Sequence, residues 1–275
     1  AFLPTPNMAT LMGADSITAE DATVDQAMGL VSLQNMSGVD NLDFSIDPAQ
    51  SLADLPVMQA TAAVEATNVE AGDISVKDAA GMIVSAGYGA AGTDPIDLAA
   101  VQQVTVMTSA AAGEDLTTYP TLAGIADVIE LNGSVTLLVD QAGLTLTGAG
   151  SYSVFDTADA IEAAVTDDSA GVLDSATTVT AGDGLDLNLT VAEYKQIVDG
   201  DTTLSSGYTI SDTADNIEAE ISPDGTDLGV LSGAQSVTST DGAVTLTMAG
   251  ANTLLGVTDL QTSYEIVDDA SAFLP

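Results

Sequence analysis

Tyr152-Ser-Val-Phe-Asp-Thr-Ala-Asp-Ala-Ile-Glu-Ala163 returns as Tyr208-Thr-Ile-Ser-Asp-Thr-Ala-Asp-Asn-Ile-Glu-Ala219, and Tyr264-Glu-Ile-Val-Asp-Asp-Ala-Ser-Ala-Phe-Leu-Pro275 opens the phrase a third time. The intervals 208 − 152 and 264 − 208 are both 56 residues. A fixed period of this length is the signature of a repeat architecture, in which each unit buries its apolar face against the next. Within the phrase, Tyr and Val or Ile alternate with polar residues, which predicts a short strand ending at Asp156 or Asp212. A helix is expected to begin there, with Asp156 and Asp212 as N-caps, Asp159 and Asp215 at N3, and Ile161 and Ile217 directed to the core.

Working outward, Asp183-Gly184 and Asp241-Gly242 each separate β-rich runs, one with Leu185, Leu187 and Leu189, the other with Val244 and Leu246. Asn132-Gly133, followed by Val135 and Leu137, holds the same place earlier in the chain. These dipeptides predict hairpins. Short helices over Val191 to Val198 and Met248 to Leu255 are expected to lead back to the next tyrosine strand. The fold class is therefore α+β: a mixed helix and strand region over 1–115, then about two and a half β-rich repeats of 56 residues with short helices over 116–275. Full repeats start near 152 and 208, and a truncated one starts at 264.

The first region carries no copy of the phrase. Val24, Met28 and Val31 share one helical face, which predicts a helix from Thr18 to Met36. Asn41 to Asp47 alternates like a strand, and Val57 to Val69 reads as a second helix. Ile74 to Val84, interrupted by Gly81, reads as strand, and Tyr88 to Gly92 as a loop. Asp94-Pro95 has the form of an N-cap and N1 pair opening a helix that runs to about Val104.

The repeated phrase resembles repeats of large bacterial secreted and cell-surface, adhesin-like proteins, in which Tyr-x-Val-x-Asp-Thr-Ala-x-x-Ile precedes a Leu-Thr-Leu-Thr segment. The resemblance covers about residues 120 to 275, and the third copy departs from it as Asp268-Asp-Ala-Ser-Ala-Phe-Leu-Pro275. It implies an extracellular structural or adhesive role and supplies no catalytic residues.

Composition narrows the function further. The 275 residues hold 41 Asp and Glu against two lysines, Lys77 and Lys195, with no His, for a formal charge of −39. Hydrophobic residues make up 46% of the chain and mean hydropathy is +0.31, so it has the means to build a core. Such a field repels phosphate backbones and anionic lipid surfaces, which excludes nucleic-acid partners. Salt screens it, since the Debye length is only about 3–10 Å between 1 M and 0.1 M. No run of about 18 uncharged apolar residues occurs, so no membrane insertion is expected. The sequence starts at Ala1 without Met or an export signal, as expected of a processed mature chain.

Without His or Cys, the usual nucleophile–base pairs are unavailable, no carboxylate pair stands out, and the chain is expected not to be an enzyme. No cofactor is required, although calcium or other divalent cations are natural ligands for an Asp-rich chain. The nearest approach to a metal motif is Ala181-Gly-Asp-Gly-Leu-Asp-Leu-Asn188, which nominates Asp183 and Asp186, against the commoner reading of a plain turn. Lys195 is read as a surface lysine or an ion-pair partner.

Ala1-Phe-Leu-Pro4 equals Ala272-Phe-Leu-Pro275, and the third phrase has no downstream sequence to pack against. Phe2, Leu3, Tyr264, Ile266, Phe273 and Leu274 are therefore the candidate assembly interface, with a second copy of the chain as partner in a homopolymer. The expected function is a structural subunit of an extracellular assembly such as a filament, tube or surface layer. The alternative is an adhesin-type stalk or binding module with a cell-surface ligand.

Overall fold

The computed structural model describes residues 17–23, 26, 42–46, 52–66, 70–87, 97–110, 113–167, 171–198, 201–222, 224–225 and 227–268. Mixed helix and strand is what the chain forms, and every described strand pairing outside the shortest elements is parallel. The chain divides into two compact units, one of Ala1–Gly133 with Leu144–Gly150, the other of Ser134–Gly143 with Ser151–Pro275.

In the first unit, β1 (Ile17–Ala22) pairs with β2 (Leu42–Ile46). Helix α1 (Val57–Ala66) precedes β3 (Ser75–Ala79), and α2 (Ala80–Gly87) follows it directly. Then come β4 (Gln103–Met107), β5 (Glu114–Asp115), β6 (Val128–Leu131) and, after an excursion into the second unit, β8 (Thr145–Gly148). The strands β3, β4, β6 and β8 form one parallel sheet in that order. Val76, Val104, Val106 and Ile129 lie in it almost wholly buried, the pattern of strands covered on both faces. The lysine of β3, Lys77, reaches Glu130 of β6 at 2.5 Å. That contact raises the ammonium's pKa through the hydrogen bond and holds the Glu130 carboxyl below the usual range.

Several expectations for this region change. The helix from Thr18 gives way to strand β1, whose Ile17 and Thr18 are β-branched and pair with Leu42 and Asp43. Gln26 is helical, its N–H donating to the Thr23 hydroxyl at 3.3 Å, and the rest of that helix beyond Thr23 lies outside the described residues, as do Tyr88 to Gly92 and Asp94-Pro95. The helix to Val104 is instead a turn over Leu98–Ala100 followed by β4, because Gln103-Val-Thr-Val106 fills the centre of the sheet. Ile74 to Val84 is strand only to Ala79. Gly81, read as a strand break, is helical, and a Cβ there would stand 3.2 Å from the Tyr119 hydroxyl. The expected strand over Asn41 to Asp47 and helix from Val57 are present as β2 and α1.

The second unit runs β7 (Ser134–Leu137), α3 (Val139–Ala142), β9 (Ser151–Asp156), α4 (Ala158–Thr166), α5 (Gly171–Asp174), β10 (Thr178–Ala181) and β11 (Leu187–Leu189). It continues α6 (Val191–Val198), β12 (Thr203–Leu204), β13 (Tyr208–Asp212), α7 (Ala214–Ala219), β14 (Ser236–Ser239), β15 (Val244–Leu246), α8 (Met248–Val257), β16 (Asp259–Leu260) and β17 (Tyr264–Ile266). Each strand lies beside one made a winding later. Leu137, Val154, Val179 and Leu204 stand in one row across β7, β9, β10 and β12. Leu189, Ile210, Val237 and Leu260 form the next row across β11, β13, β14 and β16. Beyond them β15 pairs with β17, setting Leu246 beside Ile266.

The hairpins are therefore not formed. Strands β10 and β11, joined through Asp183-Gly184, belong to different sheets, as do β14 and β15. Gly184 does take a left-handed backbone (φ 73°), but the turn redirects the chain from one sheet to the next instead of folding it back. Leu187 and Leu189 are buried as expected, whereas Leu185 lies in the turn, 60% exposed.

What binds one winding to the next is a carboxylate. The first amides of a helix have no partner inside it. In six of the described helices, the N–H of the first helical residue donates to an aspartate that arrives one winding later. Val57 donates to Asp78 (3.0 Å), Val139 to Asp156 (2.9 Å), Ala158 to Asp183 (3.1 Å), Val191 to Asp212 (2.9 Å), Ala214 to Asp241 (2.8 Å) and Met248 to Asp268 (3.0 Å).

This revises the capping expectation. Asp156 and Asp212 precede the N-cap: their second oxygens accept from the N–H of Thr157 and Thr213 at 2.8 and 2.7 Å. Those threonines are the caps, accepting from Ala160 and Asn216. Asp159 and Asp215 move to the second helical position. Ile161 and Ile217 are fully buried, as expected.

Asp212 is itself buried and also accepts from the Asn216 side chain at 2.7 Å. Asp212→Ala is expected to cost about 1–3 kcal/mol in urea unfolding, since it orphans buried donors, and Asp212→Asn roughly half of that. Asp215→Ala should change stability by less than about 0.5 kcal/mol. Equal losses at the two positions would show that the winding-to-winding bond contributes nothing special.

Candidate assembly surface

Three tyrosines open the three phrases, and their surroundings differ. Tyr152 and Tyr208 are 8% and 7% exposed. Their hydroxyls donate to the backbone oxygens of Val172 (2.8 Å) and Val230 (2.7 Å) in the following winding. Leu173 and Leu231, adjacent to those carbonyls, are fully buried. Burial raises the pKa of both phenols, and for Tyr208 the neighbouring Tyr194, with ring centroids 4.5 Å apart, raises it further. Tyr264 is 40% exposed.

Strand β17 carries Tyr264 and Ile266 and pairs, among the described residues, only with β15. Its other edge presents backbone groups that β9 and β13 direct to β10 and β14. Val267, next along, is 61% exposed, and Leu255 in α8 is 47% exposed. Of the nominated interface residues, Tyr264 and Ile266 thus share one strand whose outer edge is unpaired among the described residues. Phe2, Leu3, Phe273 and Leu274 lie outside the described residues.

Two other edges, those of β11 and β15, carry glutamates that the sequence reading passed over. The N–H of Asn188, at the centre of edge strand β11, donates to Glu162 of α4 at 2.6 Å. The N–H of Thr245, at the centre of β15, donates to Glu218 of α7. Both glutamates belong to the Ile-Glu-Ala block, and their recurrence there was the available signal. Charged side chains at sheet edges oppose unwanted strand addition.

The remaining nominated residues have protein partners. Asp183 accepts from the N–H of Ala158 and, at 3.2 Å, of Leu185, while Asp186 accepts from the Gln235 side chain at 2.7 Å. Among the described residues, no three acidic side chains gather as a metal ion would require. Lys195 donates to Glu220, whose other oxygen accepts from the N–H of Val230 at 3.3 Å. Among the described residues no helix is long and apolar enough to cross a membrane.

No protein-family model, curated protein or solved structure matches the chain. The reading of this surface rests on its own residues.

The tyrosines give a pH test. A phenol whose folded pKa is raised contributes stability that is fully present below the ordinary value of about 10 and is lost as pH climbs from there through the folded value. Tyr208→Phe is expected to lose about 1 kcal/mol at neutral pH, because the Val230 carbonyl loses its donor, and to lose less further stability between neutral and strongly alkaline pH than the parent. Tyr264→Phe should leave stability at neutral pH unchanged in the dissociated chain. Urea midpoints check this, at several pH values for Tyr208→Phe and its parent, and a Tyr208→Phe profile parallel to the parent's would refute it.

Proposed function

We propose that the chain is a structural subunit of an extracellular bacterial assembly, a filament, tube or surface layer, whose copies join through apolar and strand contacts. The observation that carries this reading is the outer edge of β17, which has no strand beside it among the described residues, with Tyr264 exposed where its two counterparts are covered by the next winding. A strand edge with backbone donors and acceptors and an aromatic residue beside it is suited to strand addition. A contact between unlike surfaces propagates instead of closing.

Composition supports the same reading. With 41 acidic residues and two lysines, association between copies relies on apolar and backbone contacts, and salt favours it by screening like charges. The tyrosine phrases suggest about two and a half units of 56 residues, each bringing its own tyrosine strand and aspartate, with a threonine cap in the two full copies. On this reading no enzyme activity or cofactor is involved. Calcium or another divalent cation acts, if at all, on exposed acids, because the aspartates that meet the helix starts are engaged by amides.

The second reading, an adhesin-type stalk with a cell-surface ligand, draws on the same winding-by-winding construction, which lends itself to elongation within one polypeptide. Electron micrographs of the purified chain in salt, with calcium and with chelator, separate the two. Ordered polymers in both solutions are expected, and they should be lost on deleting residues 264–275. Monodisperse elongated monomers would refute the assembly and favour the stalk.

A further inference from the structure

The first unit holds a piece that matches what β17 lacks. Leu173, Ala176, Val179, Thr180 and Asp183 in one winding correspond to Leu231, Ala234, Val237, Thr238 and Asp241 in the next. Leu11, Ala14, Ile17, Thr18 and Asp21 repeat the pattern at identical spacing. The intervals from leucine to Val or Ile are 179 − 173, 237 − 231 and 17 − 11, six residues each. Those from leucine to aspartate, 183 − 173, 241 − 231 and 21 − 11, are ten residues each.

Pairing agrees with the pattern. Val179 of β10 lies beside Leu204 of β12, and Val237 of β14 beside Leu260 of β16. Ile17 of β1 lies beside Leu42 of β2, likewise in parallel. Strands β1 and β2 therefore correspond to β10 with β12 and to β14 with β16. In those two cases the first strand of the pair has a tyrosine strand on its other side, Val154 facing Val179 and Ile210 facing Val237. Among the described residues β1 pairs with β2 only.

The opposite half is present at β17. Ile266, two residues after Tyr264, lies beside Leu246 as Ile210 lies beside Leu189 and Val154 beside Leu137. The complete rows read Leu137, Val154, Val179, Leu204 and Leu189, Ile210, Val237, Leu260. The two incomplete rows are Leu246, Ile266 and Ile17, Leu42, the left and right halves of the same arrangement.

We propose that β1 of a second copy adds in parallel to the open edge of β17, setting Ile17 of that copy beside Ile266 and forming the four-strand sheet β15, β17, β1, β2 across two molecules. This rests on the assembly reading above and specifies its joint. The incoming segment brings the leucine pattern whose counterparts, Leu173 and Leu231, are fully buried beside the carbonyls that receive Tyr152 and Tyr208. Each copy offers one half at β1 and the other at β17, so the joint is head to tail and repeats without limit. The glutamates on β11 and β15 fit the same scheme, since they close edges that take no further strand.

The register makes the test specific. Phe155 faces Thr180 and Ser211 faces Thr238, so Val267 of one copy should face Thr18 of the next. Neighbouring strands lie about 4.8 Å apart, within the reach of a disulfide, and the natural chain has no cysteine to interfere.

The full chain carrying both Thr18→Cys and Val267→Cys, assembled and oxidised, is expected to give a reducible ladder of multimers on denaturing gels. An equimolar mixture of the two single variants should give dimers and no ladder, and Thr18→Cys with Glu265→Cys, two residues out of register, should give neither. If the parent chain assembles but the double variant forms no ladder, the joint is wrong while the assembly reading stands. A cross-linked monomer would show that β17 is completed by its own chain, which overturns the second copy as occupant. A parent chain that stays monomeric in salt overturns both.

Discussion

Forty-one carboxylates share two ammonium groups in this protein, and the shortage of cations is met by the backbone. The orphan N–H at the start of a helix is a donor that the helix cannot satisfy, and the dipole makes that end favour negative charge. An aspartate from the next winding supplies the acceptor in six of the described helices, five of them in the second unit. A charge-assisted bond of this kind contributes roughly 1.5–3 kcal/mol, more than an exposed ion pair. It costs no lysine or arginine. Acidity that looks like a burden in the composition is, at these positions, a fastening.

The same bond sets strand register. A parallel strand slipped by two residues would keep its apolar face inward, so burial alone does not select one alignment. Asp156 and Asp212 end their strands with one oxygen on the preceding winding's helix and the other on their own threonine cap. A two-residue slip would break both contacts. Thr157, Thr213 and Thr247 then take the third helical amide, so the start of each helix is satisfied by two residues with separate tasks.

Sheet edges follow a related logic. At two edges, β11 and β15, a glutamate from the preceding helix occupies the central amide, Glu162 at Asn188 and Glu218 at Thr245. Where the next winding follows, the tyrosine at the head of the strand is covered and its hydroxyl takes a carbonyl. Strand β17 has neither arrangement on its outer side among the described residues. The proposed function grows from that difference, and the matching half sheet at β1 and β2 gives it a register.

The sequence by itself determined the positions of the tyrosine strands, their ends at Asp156 and Asp212, the short helix over Val191–Val198 and the burial of Ile161 and Ile217. Alternation and helical spacing are local properties and can be read from a single stretch. Tertiary structure decided the rest. Asp-Gly is a turn signal either way, but whether β10 folds back on β11 or passes to another sheet depends on the strands that flank it, which lie a winding away in sequence. The placement of Asp156 before its helix, not at its cap, was hidden for the same reason, because the amide it also serves belongs to Val139. Ala80 to Gly87 became helical against its β-branched residues because the core receives Ile83 and leaves room for Tyr119 over Gly81. A carboxylate, an edge or a turn has an ambiguous meaning alone, and only the neighbouring winding selects which group it meets.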